Sequence, residues 1–404
     1  MRQPVRMRQY LFLLDEDTPA WRPLSRFRSP FSFRNGIYSP IERLRSRHPE
    51  ATPVYFHPDE QHENLISELE GFQAYRQNLI NHPDWLQPTQ IVTLLGEGES
   101  GRAKVKELSE SAFVALQFSN DPDLFSLLNS IGSQLLADLT LWKAENRNCD
   151  KERLRHVHLI GNPDDVYIHS TAEILPGVVL DARNGPIIID ARASVSPFTY
   201  IEGPSYAGPD ARLDNLRLTG GSILGHAVRA GGEIENSIFQ DYSNKHHEGF
   251  VGHSLIGAWV NLGALTTTSD LKNNYGSVRI RVPAEFLFVG DPAGDSAGYT
   301  EGSIDSKDML TIDTGTIKFG SIIGDCVKTA IGTMLNTGSV LDAGSNIFGG
   351  RPDAYQRGMS WGLHGNRYDP ERFYRDCRKI FTRRGKTAHE ALLKLATRLA
   401  GWPL

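Results

Sequence analysis

Between about residues 156 and 350, aliphatic anchors recur every six positions, separated by glycine, asparagine and polar residues. Ile168, Ile174 and Leu180 form one such series, and Ile189, Val195, Ile201, Ala207 and Leu213 another. Leu218, Leu224 and Ala230 follow, then Ile256, Leu262 and Thr268. The longest series runs through Ile317, Ile323, Thr329, Leu335, Leu341 and Ile347. A helix repeats at 3.6 residues and a two-sided strand at two, so a period of six fits neither. It fits a coil with three short flat faces, each placing one inward residue at the same point, which is a parallel β-helix. Glycine and asparagine beside the anchors suit the corners, because they tolerate positive φ. Phase slips mark insertions at 181–186 and across Arg281 to Leu310.

The flanks read differently. Up to about residue 155 the pattern is α/β, with short apolar strands at 10–14, 52–56 and 91–95. A helix is predicted from Asp123 to Glu145, with Leu124, Leu127, Leu128, Ile131, Leu135, Leu139 and Trp142 on one face. Asp121 and Pro122 are its N-terminal signal. Beyond residue 351 the chain is helical. Asp369-Pro370 opens one helix that closes near Arg383-Arg384-Gly385. Thr387 and Glu390 read as a capping box for a last helix with Leu392, Leu395 and Leu399 facing inward. The simplest role for this extension is to cover the open end of the coil. The expected domains are therefore 1–155, 156–350 and 351–404.

Charge and cysteine content narrow the function. The 404 residues carry a formal net charge of -5, which gives no support to nucleic-acid binding. Small anions would have to be held by local clusters. Cys149, Cys326 and Cys377 are spread along the chain without a C-x-x-C, so neither a disulfide framework nor a zinc site is expected, and a reducing compartment fits. The apolar run Tyr10 to Leu14 is too short for a signal peptide, and no run approaches a membrane span. The expected location is the cytoplasm, with no membrane partner.

Three stretches carry candidate chemistry. Gly96 to Arg102, GEGESGR, contains G-x-G-x-x-G, but Glu97 and Glu99 oppose a phosphate there. Trp21 to Gly36 carries Arg22, Arg26, Arg28 and Arg34 among aromatics, which reads as an anion-binding loop or a solvated linker. Tyr242 to His253, YSNKHHEGFVGH, holds His246, His247 and His253. On a six-residue coil adjacent histidines point apart, and the helical H-E-x-x-H spacing is absent, so no metal is expected. Acyl transfer is the alternative, with a histidine as general base and backbone N–H groups for the oxyanion. Lys245, Lys272 and Arg217 are then candidates for phosphate, and LKNNYG (271–276) offers amides for sugar hydroxyls. An ordinary surface loop remains the other reading of these residues.

The stretch YSNKHHEGFVGHSLIGAWVNLGALTTTSDLKNNYG resembles the acetyltransferase half of the bifunctional GlmU enzymes, which make UDP-N-acetylglucosamine. It is more similar to a variant GlmU-like branch described as sugar nucleotidyltransferases. That branch shares the elements SNK-x-H-x-GF-x-G, W-x-NLGA and LKNNY, the opening W-x-P-L-[ST]-x-x-R around Trp21 to Arg28, and the ending around Phe348-Gly349-Gly350, Ser360-Trp361-Gly362 and Arg383-Arg384. The resemblance implies a left-handed coil, a homotrimer with sites between subunits, and acetyl-CoA as donor. It assigns His247 as catalytic base, Ala264 to the acetyl-CoA lining and Arg217 to phosphate. Asn244, Asn261, Asn273, Asn274 and Tyr275 would line the sugar site. The implied acceptor is an amino-sugar phosphate or a nucleotide sugar. Glu235, Phe250 and Asp270 stand where the bifunctional enzymes have lysine, tyrosine and asparagine. The insertion from Arg281 to Leu310 has the length for a lid. The N-terminal signature L-x-x-G-x-G-T-R-M is missing, so nucleotidyl transfer and its Mg²⁺ rest on analogy. A non-catalytic trimeric coil is the third reading.

Overall fold

The computed structural model describes residues 10–15, 22–75, 77, 104–108, 113–118, 124–145, 151–283, 309–363 and 366–401. The stretches 91–95 and 96–102, the expected Asp121-Pro122 helix signal, Cys149 and most of the candidate lid lie outside these residues.

The period of six becomes a stack of parallel rungs. One ladder holds nine strands, from Val166–Ile168 through Ile187–Ile189, Ser205–Ala207, Ser222–Leu224, Ile238–Phe239, Leu255–Ile256, Ser321–Ile323 and Ser339–Leu341 to Tyr355–Gln356. Chain order is ladder order and every pairing is parallel, so each turn of the chain adds one rung. This is a β-helix-like region. Its interior is a column of Val195, Ile201, Leu213, Leu218, Leu224, Ile234, Ile256, Leu262, Ile323, Leu341 and Ile347, all buried. Each such side chain contributes about 2 kcal/mol on burial. Ile317 departs from its expected series: it is 54% exposed, in the bend before Lys318 bridges Leu271. The break comes from an antiparallel pair, Arg279–Pro283 with Met309–Asp313, which carries the insertion out of the coil.

The corners also depart from expectation. Phe198, Tyr242, Trp259 and Leu265 all take positive φ, as do several glycines. Left-handed backbone is costly for such side chains. Ladder bonds hold it, including Tyr242 N to His226 O (2.8 Å) and Trp259 N to Asp241 O (3.1 Å).

The nine-strand face is apolar on both sides, as a covered parallel sheet must be. Its outward residues Ile188, Tyr206, Ile223, Ile238, Leu255, Ile322 and Val340 pack under Leu24, Phe33, Ile37 and the buried face of the helix Ile131–Glu145. That helix starts later than predicted. Residues 124–130 form turns, and Ser130 Oγ donates to Leu127 O (2.9 Å), a local bond that competes with helix. The predicted face still points inward, and Trp142 Nε1 donates to Asp190 (3.0 Å). Before it, a five-stranded sheet takes the order Gln73–Ala74, Thr52–Phe56, Tyr10–Asp15, Phe113–Phe118, Lys104–Leu108, with only the last pairing antiparallel.

The C-terminal helix Pro370–Thr382 begins as predicted, with the Asp369 side chain accepting from Arg372 N (2.7 Å). The last helix, Ala391–Ala400, has no capping box; its first turn is met by His389 Nδ1 accepting from Ala391 N (3.2 Å). These helices do not cap the coil end. They lie beside one corner, where Phe381 stacks on Trp259 (3.9 Å) and Trp259 on Tyr242 (4.2 Å). Leu363 packs on one end of the interior column, and Leu154, Val157 and Leu159 on the other. The same packing brings Cys326 and Cys377 together, both buried, and the hydrogen bond with the Cys377 thiol, helped by burial, pushes Cys326 up.

Candidate functional site

With one face covered, two faces and the corner between them are open. Strand Asn244–Lys245 lies on one open face and Phe250–Gly252 on the other; His246 to Gly249 turn the corner between them. Successive coils approach closely here. A Cβ on Gly231 would collide with the carbonyl oxygen of His246, and one on Gly249 with that of Thr266.

Residues 17 apart stack on neighbouring turns, as Asn244 and Asn261 do, joined side chain to side chain at 2.7 Å. The same spacing puts Ala264 over His247, and Leu265 N donates to Glu248 O (2.7 Å) between the two turns. His247 is exposed, its ring edge-on to His246 at 5.1 Å. His246 sits deeper. Its Nδ1 lies 3.5 Å from Asp214 but is buried without a hydrogen bond, and burial lowers its proton affinity.

Lys245, expected on phosphate, is instead inside the coil. Strand alternation sends Asn244 outward and Lys245 inward, to the level of Ala230 and in line with Leu213. It is 1% exposed, and its Nζ donates to the carbonyls of Gly231 (2.9 Å) and His247. Burial pushes it down to about 8. Arg217 is exposed on the second open face, 3.6 Å from Glu233. Lys272 Nζ donates to Ser277 O (2.6 Å), and Asn273, Asn274 and Tyr275 are exposed on a loop beyond the next corner.

The expected anion loop is also redirected. Arg28 Nε meets Asp325 at 2.7 Å, Arg26 meets Asp342 at 3.4 Å, Arg34 meets Asp241 at 3.4 Å, and Arg22 is buried. These arginines fasten the N-terminal segment to a column of corner aspartates. Buried guanidinium groups need carboxylate partners, and the coil supplies them.

One pair escaped the sequence reading. His253 Nδ1 meets Asp270 Oδ2 at 2.7 Å, and both side chains are largely buried. The 17-residue spacing is the signal that would have found it. Phe250 packs beside Asp270 and Gly252, and Glu235, one coil below, takes Lys318 at 3.1 Å. The three departures from the family pattern therefore share one corner. Among the described residues no three His, Cys, Asp or Glu side chains converge as a metal would need.

The fold is that of a β-helix-like region followed by C-terminal helices, with a histidine and paired asparagines on an open corner. In sequence it is similar to bifunctional GlmU proteins. It is 40% identical to that of Cupriavidus pinatubonensis over 106 residues, 25% of this chain and 22% of the relative. It is 25% identical to that of Bartonella quintana over 177 residues, 39% of each. For Streptococcus pyogenes the identity is 26% over 208 residues, 42% of this chain and 43% of the relative. The relationship is GlmU-like, and the chain spans less than half the length of these relatives. No family model matches the chain. No helix among the described residues is long and apolar enough to cross a membrane.

Proposed function

We propose that this protein is an acetyl-CoA-dependent N-acetyltransferase acting on an amino-sugar phosphate or a nucleotide amino sugar. The observation that carries this reading is the stacking of His247 under Ala264 on an open corner, next to the Asn244–Asn261 pair. In the proposed reaction His247 takes a proton from the acceptor amine as it attacks the thioester carbonyl. The C–N bond forms, the C–S bond breaks, and the CoA thiolate leaves with a proton. Asn244 and Asn261 orient sugar hydroxyls. The coil is left-handed in this reading, over residues 156–350, with a divergent nucleotidyltransferase-like segment before it and a helical extension after it, in the cytoplasm.

Assembly as a homotrimer is part of the same proposal. The His247 corner carries exposed apolar residues on other turns: Phe198 (83%), Leu265 (55%) and Ile331 (76%). An apolar edge of this kind favours burial against further copies. A donor or acceptor bound at His247 would then lie between subunits.

The His253–Asp270 pair favours a second reading of the base. A carboxylate that holds Nδ1 leaves Nε2 directed at a substrate proton. Release of free CoA thiol with glucosamine 1-phosphate and related amino sugars tests both. His247→Ala is expected to lose about a hundredfold or more in kcat, with His253→Ala much less affected. The reverse order moves the base to His253, and no turnover with any amino sugar sinks the acetyl-transfer reading.

A further inference from the structure

The cations that sequence offered for phosphate are mostly engaged. Lys245 is inside the coil, Lys272 is bonded to a carbonyl, and Arg217 stands beside Glu233. Another cluster has no carboxylate within ion-pair distance among the described residues. Arg212 and Arg229 are register partners on adjacent rungs of the open face that carries Asn244, so their Cα atoms are about 4.8 Å apart. Asn244 is the next rung. Arg384 reaches the same place from the turn after the helix Pro370–Thr382, with Nη1 3.4 Å from Ala227 O.

None of the three arginines has an ion pair among the described residues, and the Nε of Arg229 is buried with no hydrogen-bond partner. The side chains are close enough to repel: Arg384 is held below its ordinary value by burial and by Arg229, Arg383 and Arg212. His246 feels Arg229 and Arg212 in the same direction, and Asp214, 3.5 Å from it, is the nearby carboxylate. Three guanidinium groups thus gather beside His246, whose nearby carboxylate is Asp214. The wall beside them is the Tyr242–Trp259–Phe381 stack, with Lys386 5.7 Å from the Tyr242 ring centre.

We infer that Arg212, Arg229 and Arg384 form a phosphate-binding notch, completed by the C-terminal turn, for a phosphorylated substrate of the His247 corner. Guanidinium forks match phosphate oxygens, and a bound phosphate would relieve the mutual repulsion. The inference rests on the acetyl-transfer reading only for the name of the ligand. Its phosphate comes either from the sugar acceptor or from the nucleotide end of the CoA donor.

Calorimetry on the full chain tests this without turnover, so failure of the acetyl-transfer reading does not touch it. The probes are pyrophosphate, glucosamine 1-phosphate and adenosine 3′,5′-bisphosphate, with glucosamine as the unphosphorylated control. Each of Arg212→Gln, Arg229→Gln and Arg384→Gln is expected to weaken at least one phosphorylated probe about tenfold and leave glucosamine unchanged. The probe affected names the source, and its binding should weaken as salt is raised. Arg212 is exposed, so its variant folds and decides the matter even if Arg384→Gln loosens the C-terminal turn. Wild-type protein that binds none of the phosphorylated probes, or Arg212→Gln and Arg229→Gln that bind them all unchanged, overturns the inference.

Discussion

Lys245 occupies a position that Val195, Leu213, Ala230, Leu262 and Ile347 fill on other rungs of its column. A lysine there keeps its amine only by donating to the Gly231 and His247 carbonyls, which ties the histidine turn to the coil interior. Its folded-state value of about 8 lies below the ordinary 10.5. Between those values the unfolded chain holds a proton that the folded chain has released, so stability rises with pH across that window. Below about 8 both states are protonated and the burial penalty is constant. Lys245→Met should therefore abolish a rise in thermal midpoint that wild type shows from about pH 8 to 10. Parallel curves for the two proteins would falsify this account. The sequence named Lys245 as a site residue because it read side-chain type without the direction each strand position faces. His247, named as base from the family resemblance, is exposed on the tight corner that Gly231 and Gly249 allow.

At the scale of elements, the coil was legible and its attachments were not. Period six placed Ile189, Val195, Leu213, Leu224, Ile256 and Ile347 inside, and all are buried. The helix Pro370–Thr382 was legible from Asp369-Pro370. Its docking was not, because Phe381 finds Trp259 across more than a hundred residues of chain, where no local pattern reaches. Phe381→Ala should cost about 1 kcal/mol beyond the lost buried area, and raise amide exchange in that helix ahead of the coil. Exchange that rises equally in both would show the helix to be held by its other contacts, such as Phe373 on Phe27 (5.8 Å). If the phosphate notch needs the C-terminal turn, the same variant also weakens phosphorylated probes.

At the scale of the whole molecule, the coil has one face closed by its own N-terminal residues and two faces left open. The closed face explains why Ile187-Ile188-Ile189 is apolar on both sides. The open corner explains the exposed Phe198, Leu265 and Ile331. Ile331→Asp and Phe198→Asp should shift the assembly toward monomer in sedimentation velocity while circular dichroism stays unchanged. A monomeric wild type, or an unchanged distribution in both variants, removes the trimer from the proposal.

The six-residue period, the strand-rich coil and the placing of the histidine stretch on that coil follow from sequence alone, because they depend on local spacing and backbone preference. The fate of each charge does not. Arg28 reaching Asp325, Lys245 turning inward, His253 meeting Asp270 and Arg384 joining Arg212 and Arg229 all depend on which turns stack and which segments dock. Electrostatic partners are chosen across space, so only the tertiary structure separates a cation spent on holding the fold from one left for a ligand.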